Sequence, residues 1–223
     1  MKSVYESKDP TYYRGVREDL ISILPNNSSQ KILEIGSGGG NTLVEIKSRG
    51  LAAEVVGSDI FSLKNSHQQN PLIDKFIITD IEKNTLDLPE NYFDVIICGD
   101  VLEHLVDPWQ VIDQLTTFLK VGGHIIISVP NIREISTLSK IIFSGNFQYN
   151  PEGGILDKTH LRFFCKKNAM SLGNTNQLKT VAYYANIDIK KNFAMARRKL
   201  INIITLGLFK EFLTIQHIIV AKK

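Results

Sequence analysis

The sequence predicts an α/β fold, a doubly wound and mostly parallel sheet of seven strands with helices on both faces. Three observations support this prediction. Short apolar runs alternate with helical patterns along the first 130 residues. The runs are continuous, as in YFDVIIC at 92–98, which is typical of strands buried on both faces. A glycine-rich turn, GSGGG at 36–40, joins the first run to the helical pattern after it.

The individual elements follow from periodicity and from turn residues. Apolar residues on one helical face predict a first helix over 12–24, which Pro25 ends. Strands are expected at 31–35, 53–57, 76–79, 92–98, 124–129, 187–191 and 213–220. Further helices are expected at 41–48, 62–69, 108–120, after 131 and at 194–206. Asp107 and Pro108 mark the start of the helix at 108, and Gly122 and Gly123 mark its end.

The length of 223 residues indicates a single domain. Its expected parts are a cofactor-binding core at 1–131, a substrate lid at 132–186, and closing strands with a helix at 187–223. Within 168–186 the run GNTN interrupts the pattern expected of an amphipathic helix, so the anchoring of the lid is irregular.

Composition narrows the compartment and the class. Two cysteines without metal-ligand spacing predict a reducing, cytoplasmic setting, no disulfide framework and no metal site. No apolar stretch approaches the ~20 residues of a membrane span, and no secretory leader is recognisable. A transmembrane segment is therefore not expected.

Acidic and basic residues are distributed unevenly along the chain. Up to Asp157 there are 13 basic and 21 acidic residues, and from Lys158 onward 13 basic and 2 acidic. A basic last third suggests an anionic acceptor or a lipid head group, with nucleic acid less favoured, whereas a solvated surface is the alternative. The segment FAMARRKLINIITLGLF has a basic start and an apolar end. It could lie on an anionic membrane, although packing against the sheet is the favoured interpretation.

The glycine turn restricts the class of ligand. It lacks the lysine of a phosphate-binding P-loop, and its GxGxG spacing departs from the GxGxxG of dinucleotide sites. Acids stand at or near the carboxyl ends of four expected strands, at Glu34, Asp59, Asp80 and Asp100. Asp59 follows Gly36 by 23 residues, the separation of an acid that binds ribose hydroxyls. Such a site disfavours a diphosphate and favours a nucleoside with a cationic centre, as in S-adenosylmethionine.

At this point a family resemblance is visible. In this order, ILEIGSGGG, GSDI, ITDIE, YFDVIICGDVLEHLVDP and LKVGGHIIISVPN resemble the class I S-adenosylmethionine-dependent methyltransferases over residues 10–131. That resemblance implies a Rossmann-like fold and this cofactor. GILDKTHLRFF at 154–164 is similar to a bacterial subgroup associated with polysaccharide biosynthesis and related to the ubiquinone O-methyltransferases.

The resemblance also implies the cofactor contacts. Glycine-loop residues would line the methionine part, Asp59 and Ile60 the ribose and adenine, Asp80 and Ile81 the adenine, and Gly99 the sulfonium. Arg14 would bind the cofactor carboxylate. The full implied set is Arg14, Glu34, Gly36, Ser37, Gly38, Gly40, Asp59, Ile60, Asp80, Ile81, Gly99, Asp100 and His104. For the acids, the alternative is a cap or a solvated strand end.

Methyl transfer requires alignment more than covalent help, but a hydroxyl acceptor benefits from a general base. His160 is the candidate base, with a hydrogen-bonded lid residue as the alternative. For His104 a structural or cofactor-wall role is favoured over proton transfer. Asn131, Arg162 and Phe163 are the candidate acceptor contacts.

The expected function is therefore S-adenosylmethionine-dependent O-methylation. The acceptor would be small or carrier-linked, such as a sugar, a polysaccharide intermediate or a quinone precursor. A non-catalytic protein that binds the cofactor is the first alternative, and an NAD(P)-dependent oxidoreductase is the second.

Overall fold

The computed structural model describes residues 14–187 and 193–223, which form a seven-stranded sheet with helices against both faces. The strands are β1 (Lys31–Ile35), β2 (Glu54–Asp59), β3 (Lys75–Ile78), β4 (Phe93–Gly99), β5 (Leu119–Pro130), β6 (Lys179–Asn186) and β7 (Gln216–Lys222). The helices are α1 (Glu18–Ile21), α2 (Asn41–Ser48), α3 (Pro108–Phe118), α4 (Ile135–Ser144), α5 (Lys166–Leu172), α6 (Phe193–Ile204) and α7 (Lys210–Leu213). The predicted fold class is confirmed.

The strand order is β3-β2-β1-β4-β5-β7-β6. The first five strands are parallel, and β7 runs antiparallel to both β5 and β6. Strand order reverses between the neighbours β1 and β4, and ligands of such sheets bind beyond the carboxyl ends of the strands at this point. The loops after β1, β2 and β4 therefore meet at one edge.

Two apolar clusters cover the two faces of the sheet. Leu33 and Ile35 of β1 belong to one cluster and Ile32 to the other, as the alternation of side chains along a strand requires. Helices α3 and α5 pack in the first cluster, and α1 and α2 pack in the second. Sequestering β1 from water on both sides explains its uninterrupted Ile and Leu run.

Two boundaries differ from the sequence predictions. Residues 62–69 form turns instead of a helix, because the Gln68 side chain ties this segment to the backbone oxygens of Gly38 and Phe61 at 2.8 and 2.9 Å. The helix predicted to reach residue 120 ends at Phe118, and β5 begins at Leu119. Gly122 and Gly123 therefore lie within a strand and do not close a helix.

The sixth strand is also misplaced in the prediction. Ile187 lies outside any strand, and residues 188–191 fall outside the described part of the chain. Instead, β6 lies in the stretch expected to be an irregular lid, where it pairs with β7. Its sequence KTVAYYAN is rich in β-branched and aromatic residues, and Gly173 caps α5 before it. The second half of the predicted lid thus belongs to the sheet layer.

The first helix is shorter than predicted. Residues 12 and 13 lie outside the described part, and α1 covers Glu18–Ile21 within the expected 12–24. Leu20 and Ile21 are buried in the second cluster, so this short helix still anchors the entry to the sheet.

Gly57 of β2 provides a test of this packing. A Cβ at this position would lie 2.7 Å from the Phe76 ring and 2.8 Å from Leu43 Cδ1. We expect Gly57→Ala to lower the free energy of unfolding by about 1–3 kcal/mol, as overpacked core positions do, when measured by urea denaturation. In the control Gly15→Ala, the added Cβ meets no atom within 4 Å, and the change should stay within about 1 kcal/mol. Equal stability of the two variants would contradict the described packing.

Candidate functional site

The glycine loop after β1 presents bare backbone at the sheet edge. Gly36 N and Ser37 N both donate to Ser58 O, at 2.9 and 3.1 Å, which holds the loop against the end of β2. Gly36 has φ +69, and a Cβ on it would lie 2.8 Å from Val101 Cβ. A side chain there would be strained and would clash, so the loop requires glycine.

Asp59 is fixed at the end of β2. Its Oδ2 accepts from Gly38 N at 2.7 Å and its Oδ1 accepts from Phe61 N at 3.1 Å. Burial raises the pKa of Asp59 to about 6, against the opposing effect of these backbone hydrogen bonds. The carboxyl group therefore links the glycine loop to the loop after β2.

Glu34 lies inside β1, directly beneath the glycine loop, and is 4% exposed. Its Oε2 has no hydrogen-bond partner among the described residues. Burial raises the pKa of Glu34 to about 8, while the charge of Arg17 acts in the opposite direction. Near neutral pH this side chain is a largely protonated acid that faces the site.

Arg17 forms the centre of a polar network across the site. It is ion-paired with Asp100, and its Nε and Nη2 donate to the two oxygens of Asp19 at 2.9 and 2.8 Å. Although burial opposes it, Asp100 and Asp19 raise the pKa of Arg17 above its usual value. Gln216 Nε2 donates to Asp100 Oδ1 at 2.6 Å. Asp100 itself has φ +56, a conformation that non-glycine residues rarely adopt.

A separate polar cluster in the site combines a buried acid with two histidines. Glu103 is 1% exposed, and neither carboxyl oxygen has a hydrogen-bond partner among the described residues. Burial, with the charge of Asp100, raises the pKa of Glu103 well above its usual range. His160 Nε2 lies 3.9 Å from Glu103 Oε1, and the His160 and His104 ring centroids are 4.7 Å apart.

This cluster has the chemistry of a cation site as well as that of an acid-base pair. Glu103, His104 and His160 can each offer one ligand atom, and these atoms lie within 4.8 Å of one another. Two imidazoles and a carboxylate suit several divalent ions. The sequence predicted no metal site, and spacing along the chain could not have joined residues 103 and 160.

The polar network around Arg17 and the cluster of Glu103 with the two histidines open into one cavity of about 1060 Å³. The predicted site residues that line it are Glu34, Gly36, Ser37, Gly38, Asp59, Ile60, Asp80, Ile81, Gly99, Asp100, His104 and His160. Its lining includes six acidic residues against one Arg and one Lys, and that Lys83 is ion-paired with Asp80 at 2.6 Å. The excess of acidic over basic side chains in the described lining disfavours a diphosphate.

Five predicted residues lie outside the described lining of this cavity: Arg14, Gly40, Asn131, Arg162 and Phe163. Arg14 is exposed, and Gly40 is the N-cap of α2. Asn131 is 1% exposed, and its amide donates to Glu211 O and Thr214 O, so the fold itself uses this side chain. Arg162 Nε donates to Val106 O at 3.0 Å. Phe163 lies beside the cavity, with its ring centroid 6.3 Å from that of His160.

Sequence reasoning missed Arg17, Glu103 and Gln216, which all line the cavity. Arg17 follows the predicted Arg14 by three residues, so helical spacing could have suggested it. Glu103 stood inside the quoted VLEHL motif. Gln216 had no signal in the sequence, because its position depends on how β7 enters the sheet.

The fold and the acid-rich cavity together define a doubly wound α/β protein with a ligand site at the carboxyl edge of its sheet. The family model described as "Methyltransferase domain" matches residues 5–172. The chain therefore belongs to this methyltransferase family.

Individual relatives agree with this assignment. A ubiquinone biosynthesis O-methyltransferase of Proteus mirabilis is 33% identical over 107 residues, covering 46% of this chain and 42% of that protein. Its counterpart in Albidiferax ferrireducens is 27% identical over 202 residues, covering 82% and 78%. The chain thus spans less than half the length of the first of these relatives.

A solved structure shows the same fold. The S-adenosylmethionine-dependent methyltransferase of Archaeoglobus fulgidus superposes with a TM-score of 0.59 at 21% identity, covering 95% of this chain and 96% of that one. The family match confirms the predicted methyltransferase class and the superposition confirms the fold, with S-adenosylmethionine as the expected cofactor.

The residues present fit this cofactor. Gly36 and Gly38 place bare backbone in the cavity lining, and Glu34 Oε2 lacks a partner that an ammonium or hydroxyl donor could supply. The acid-rich lining matches a sulfonium charge. Glu34, Asp59 and Asp80 would therefore hold the cofactor at the carboxyl edge of the sheet.

The raised pKa of Glu34 predicts a pH-dependent stability. Unfolded glutamate ionises near 4.5, whereas folded Glu34 keeps its proton to about pH 8, so stability falls as pH rises through this window. We expect Glu34→Gln to remove this loss. The variant would be more stable than wild type by about 1 kcal/mol at pH 5.5 and about 3 kcal/mol at pH 7.

Urea denaturation across pH 5 to 8 measures this difference. The control Glu90→Gln removes an exposed acid and should leave the pH dependence of unfolding unchanged. A Glu34→Gln curve that runs parallel to that of the wild type would contradict the buried, protonated state of Glu34.

Proposed function

We propose that the protein transfers the methyl group of S-adenosylmethionine to a hydroxyl oxygen of a small or carrier-linked acceptor. Sugars, polysaccharide intermediates and quinone precursors are the acceptor types in view. One observation carries the proposal: His160 and the glycine loop line the same cavity, so a base and a nucleoside site share one space. The relatives named above are O-methyltransferases of ubiquinone biosynthesis by description, which supports an oxygen acceptor.

When bound, the cofactor supplies an activated methyl group on a sulfonium, and the chain supplies alignment. Glu34 and Asp59 lie on either side of the glycine loop and orient the nucleoside and amino-acid ends. Arg17 and Asp100 are locked to each other and to Gln216, so the wall beside Gly99 is rigid. Holding the acceptor oxygen and the methyl carbon about 3 Å apart accounts for most of the acceleration in such a transfer.

His160 has the geometry of a general base. Its Nδ1 lies 2.9 Å from Ile155 O, and a carbonyl accepts hydrogen bonds without donating them. The proton therefore sits on Nδ1, which leaves the Nε2 lone pair to accept a hydroxyl proton. Glu103 Oε1 lies 3.9 Å from Nε2, and because burial raises the pKa of Glu103 well above its usual range, it borders the base as a polar group and not as a full negative charge. Glu103 thus acts as a positioning residue for the base.

Aromatic residues beside His160 suit an acceptor with a ring. Phe163 packs against Phe147 with ring centroids 5.5 Å apart and against Tyr149 at 6.4 Å. Phe147 and Tyr149 are 43% and 46% exposed, so their faces are open to solvent next to the cavity. Sugar and phenol rings both stack on such surfaces. Phe163 stays a proposed acceptor contact on this ground, together with Phe147 and Tyr149.

The alternatives are weaker on charge and geometry. An NAD(P)-dependent oxidoreductase would have to place a diphosphate among six acids. A non-catalytic protein that binds the cofactor would have no need of the buried acid-histidine pair. Calorimetry with S-adenosylmethionine and with NADH distinguishes the oxidoreductase from the proposed methyltransferase. Isotopically methyl-labelled cofactor added to a lysate with the protein, followed by mass spectrometry, identifies the acceptor.

Once the acceptor is identified, the variant His160→Ala tests whether His160 is the general base. We expect kcat to fall about 10²- to 10⁴-fold, because proton removal from a hydroxyl is lost, while the Kd for S-adenosylmethionine changes less than threefold. Steady-state kinetics and calorimetry measure the two quantities. The control His67→Ala removes an exposed imidazole and should change neither.

Two results would contradict the role of His160. One is an unchanged kcat in His160→Ala. The other is loss of wild-type activity on chelation with recovery on adding a divalent ion, which would assign the cluster of Glu103, His104 and His160 to metal binding.

A further inference from the structure

The connection between the last two strands is far longer than the sheet requires. Strands β6 and β7 are antiparallel neighbours, and Asn186 pairs with Gln216 at the end where a hairpin of about two to five residues would suffice. The chain instead runs through residues 187–215, here called the β6–β7 insertion. Ile215 N donates to Asn186 O at 2.9 Å, so the two ends of the insertion meet.

The described part of the insertion is anchored at its base. Arg198 is ion-paired with the buried Glu134 at the start of α4, and its Nη1 donates to Leu213 O at 2.9 Å. Asn131 holds Glu211 O and Thr214 O. The described part of the insertion therefore has a defined position beside the sheet.

Its outer part is apolar and open to solvent. Leu206 and Leu208 flank Gly207 and are 91% and 83% exposed, and Ile203 and Ile204 are 69% and 70% exposed. Leu206 and Gly207 both have positive φ, and this tight turn projects the two leucines. None of these four side chains belongs to either apolar cluster. Soluble surfaces rarely expose a contiguous group of this kind without a partner.

The charge of the insertion indicates the partner. Residues 187–215 contain six basic and two acidic residues. One acid, Glu211, is ion-paired with Arg133 at 2.8 Å and lies 3.6 Å from Lys166. Of the basic side chains of the insertion that the structure describes, Arg198 is paired with Glu134 and Lys210 is exposed, and neither lines the cavity.

We propose that the β6–β7 insertion docks the protein on an anionic lipid bilayer, with Leu206 and Leu208 in the apolar layer and the exposed Lys210 at the head groups. Apolar side chains at a protruding tip next to basic residues are the pattern of peripheral membrane contacts. In the described part of the chain no helix is long and apolar enough to cross a bilayer.

Docking would also serve the cavity. The insertion ends at Ile215, and Ile215 and Gln216 line the cavity. A lipid-linked acceptor held in the bilayer would therefore approach the site beside the insertion. This last step depends on the proposed function, whereas membrane binding itself does not.

Co-sedimentation of the full chain with vesicles tests the inference. We expect binding to vesicles of equal parts phosphatidylcholine and phosphatidylglycerol, weaker binding at high salt, and little binding to phosphatidylcholine alone. The double variant Leu206→Asp with Leu208→Asp should weaken binding at least about tenfold, because two side chains that the bilayer would bury are lost. The control Val121→Asp replaces an apolar residue that is 85% exposed near the start of β5, and it should bind like wild type.

Calorimetry with S-adenosylmethionine shows whether the double variant remains folded. Absent binding to anionic vesicles, or wild-type binding by a folded double variant, would overturn the inference. A third result would also overturn it: the wild type is a dimer in light scattering, the double variant is a monomer, and neither protein binds vesicles. The leucines would then join two copies of the chain. Vesicle binding by a protein that fails to bind the cofactor would leave this inference standing and remove the proposed function.

Discussion

The arrangement of the cavity depends on two buried glutamates, each with at least one carboxyl oxygen that lacks a hydrogen-bond partner in the described chain. Glu34 leaves one oxygen unpaired and Glu103 leaves two. An ionised carboxylate in such a place costs several kcal/mol, and the pKa of both groups is raised as a result. The nearby cation, Arg17, is already held by Asp100 and Asp19. A ligand that brings hydrogen-bond donors or positive charge would satisfy these oxygens, and S-adenosylmethionine brings both.

Much of this site was predictable because it depends on local sequence. The glycine loop and the acids at strand ends are set by residues within a few positions of each parallel strand, and such strands all end at one edge. Glu34, Asp59, Asp80 and Asp100 therefore met in one cavity as expected. Asp107 and Pro108 likewise fixed the start of α3, since a cap acts within one turn.

The missed features depend on contacts between distant segments. β6 was assigned to a lid because its half-exposed edge position gives no continuous apolar run, and its pairing with β7 decides its state. Gln216 reaches Asp100 across 116 positions of sequence. Asn131 followed a strand end, as an acceptor contact would, but the α7 segment folds back onto its amide. A pattern of residues along the chain contains no information of this kind.

The division of charge along the chain gains a physical meaning from the fold. Acidic residues line the cavity, so a bound cofactor would have carboxyl groups near its sulfonium, while the Lys and Arg side chains beyond residue 157 that the structure describes lie outside the lining. An anionic acceptor would be repelled by the same carboxyl groups. The basic charge is therefore better suited to an extended anionic surface that never enters the cavity. If such a surface is a bilayer, the insertion that contacts it reaches the cavity lining at Ile215 and Gln216, and the two opposite charges of the chain serve two different ligands.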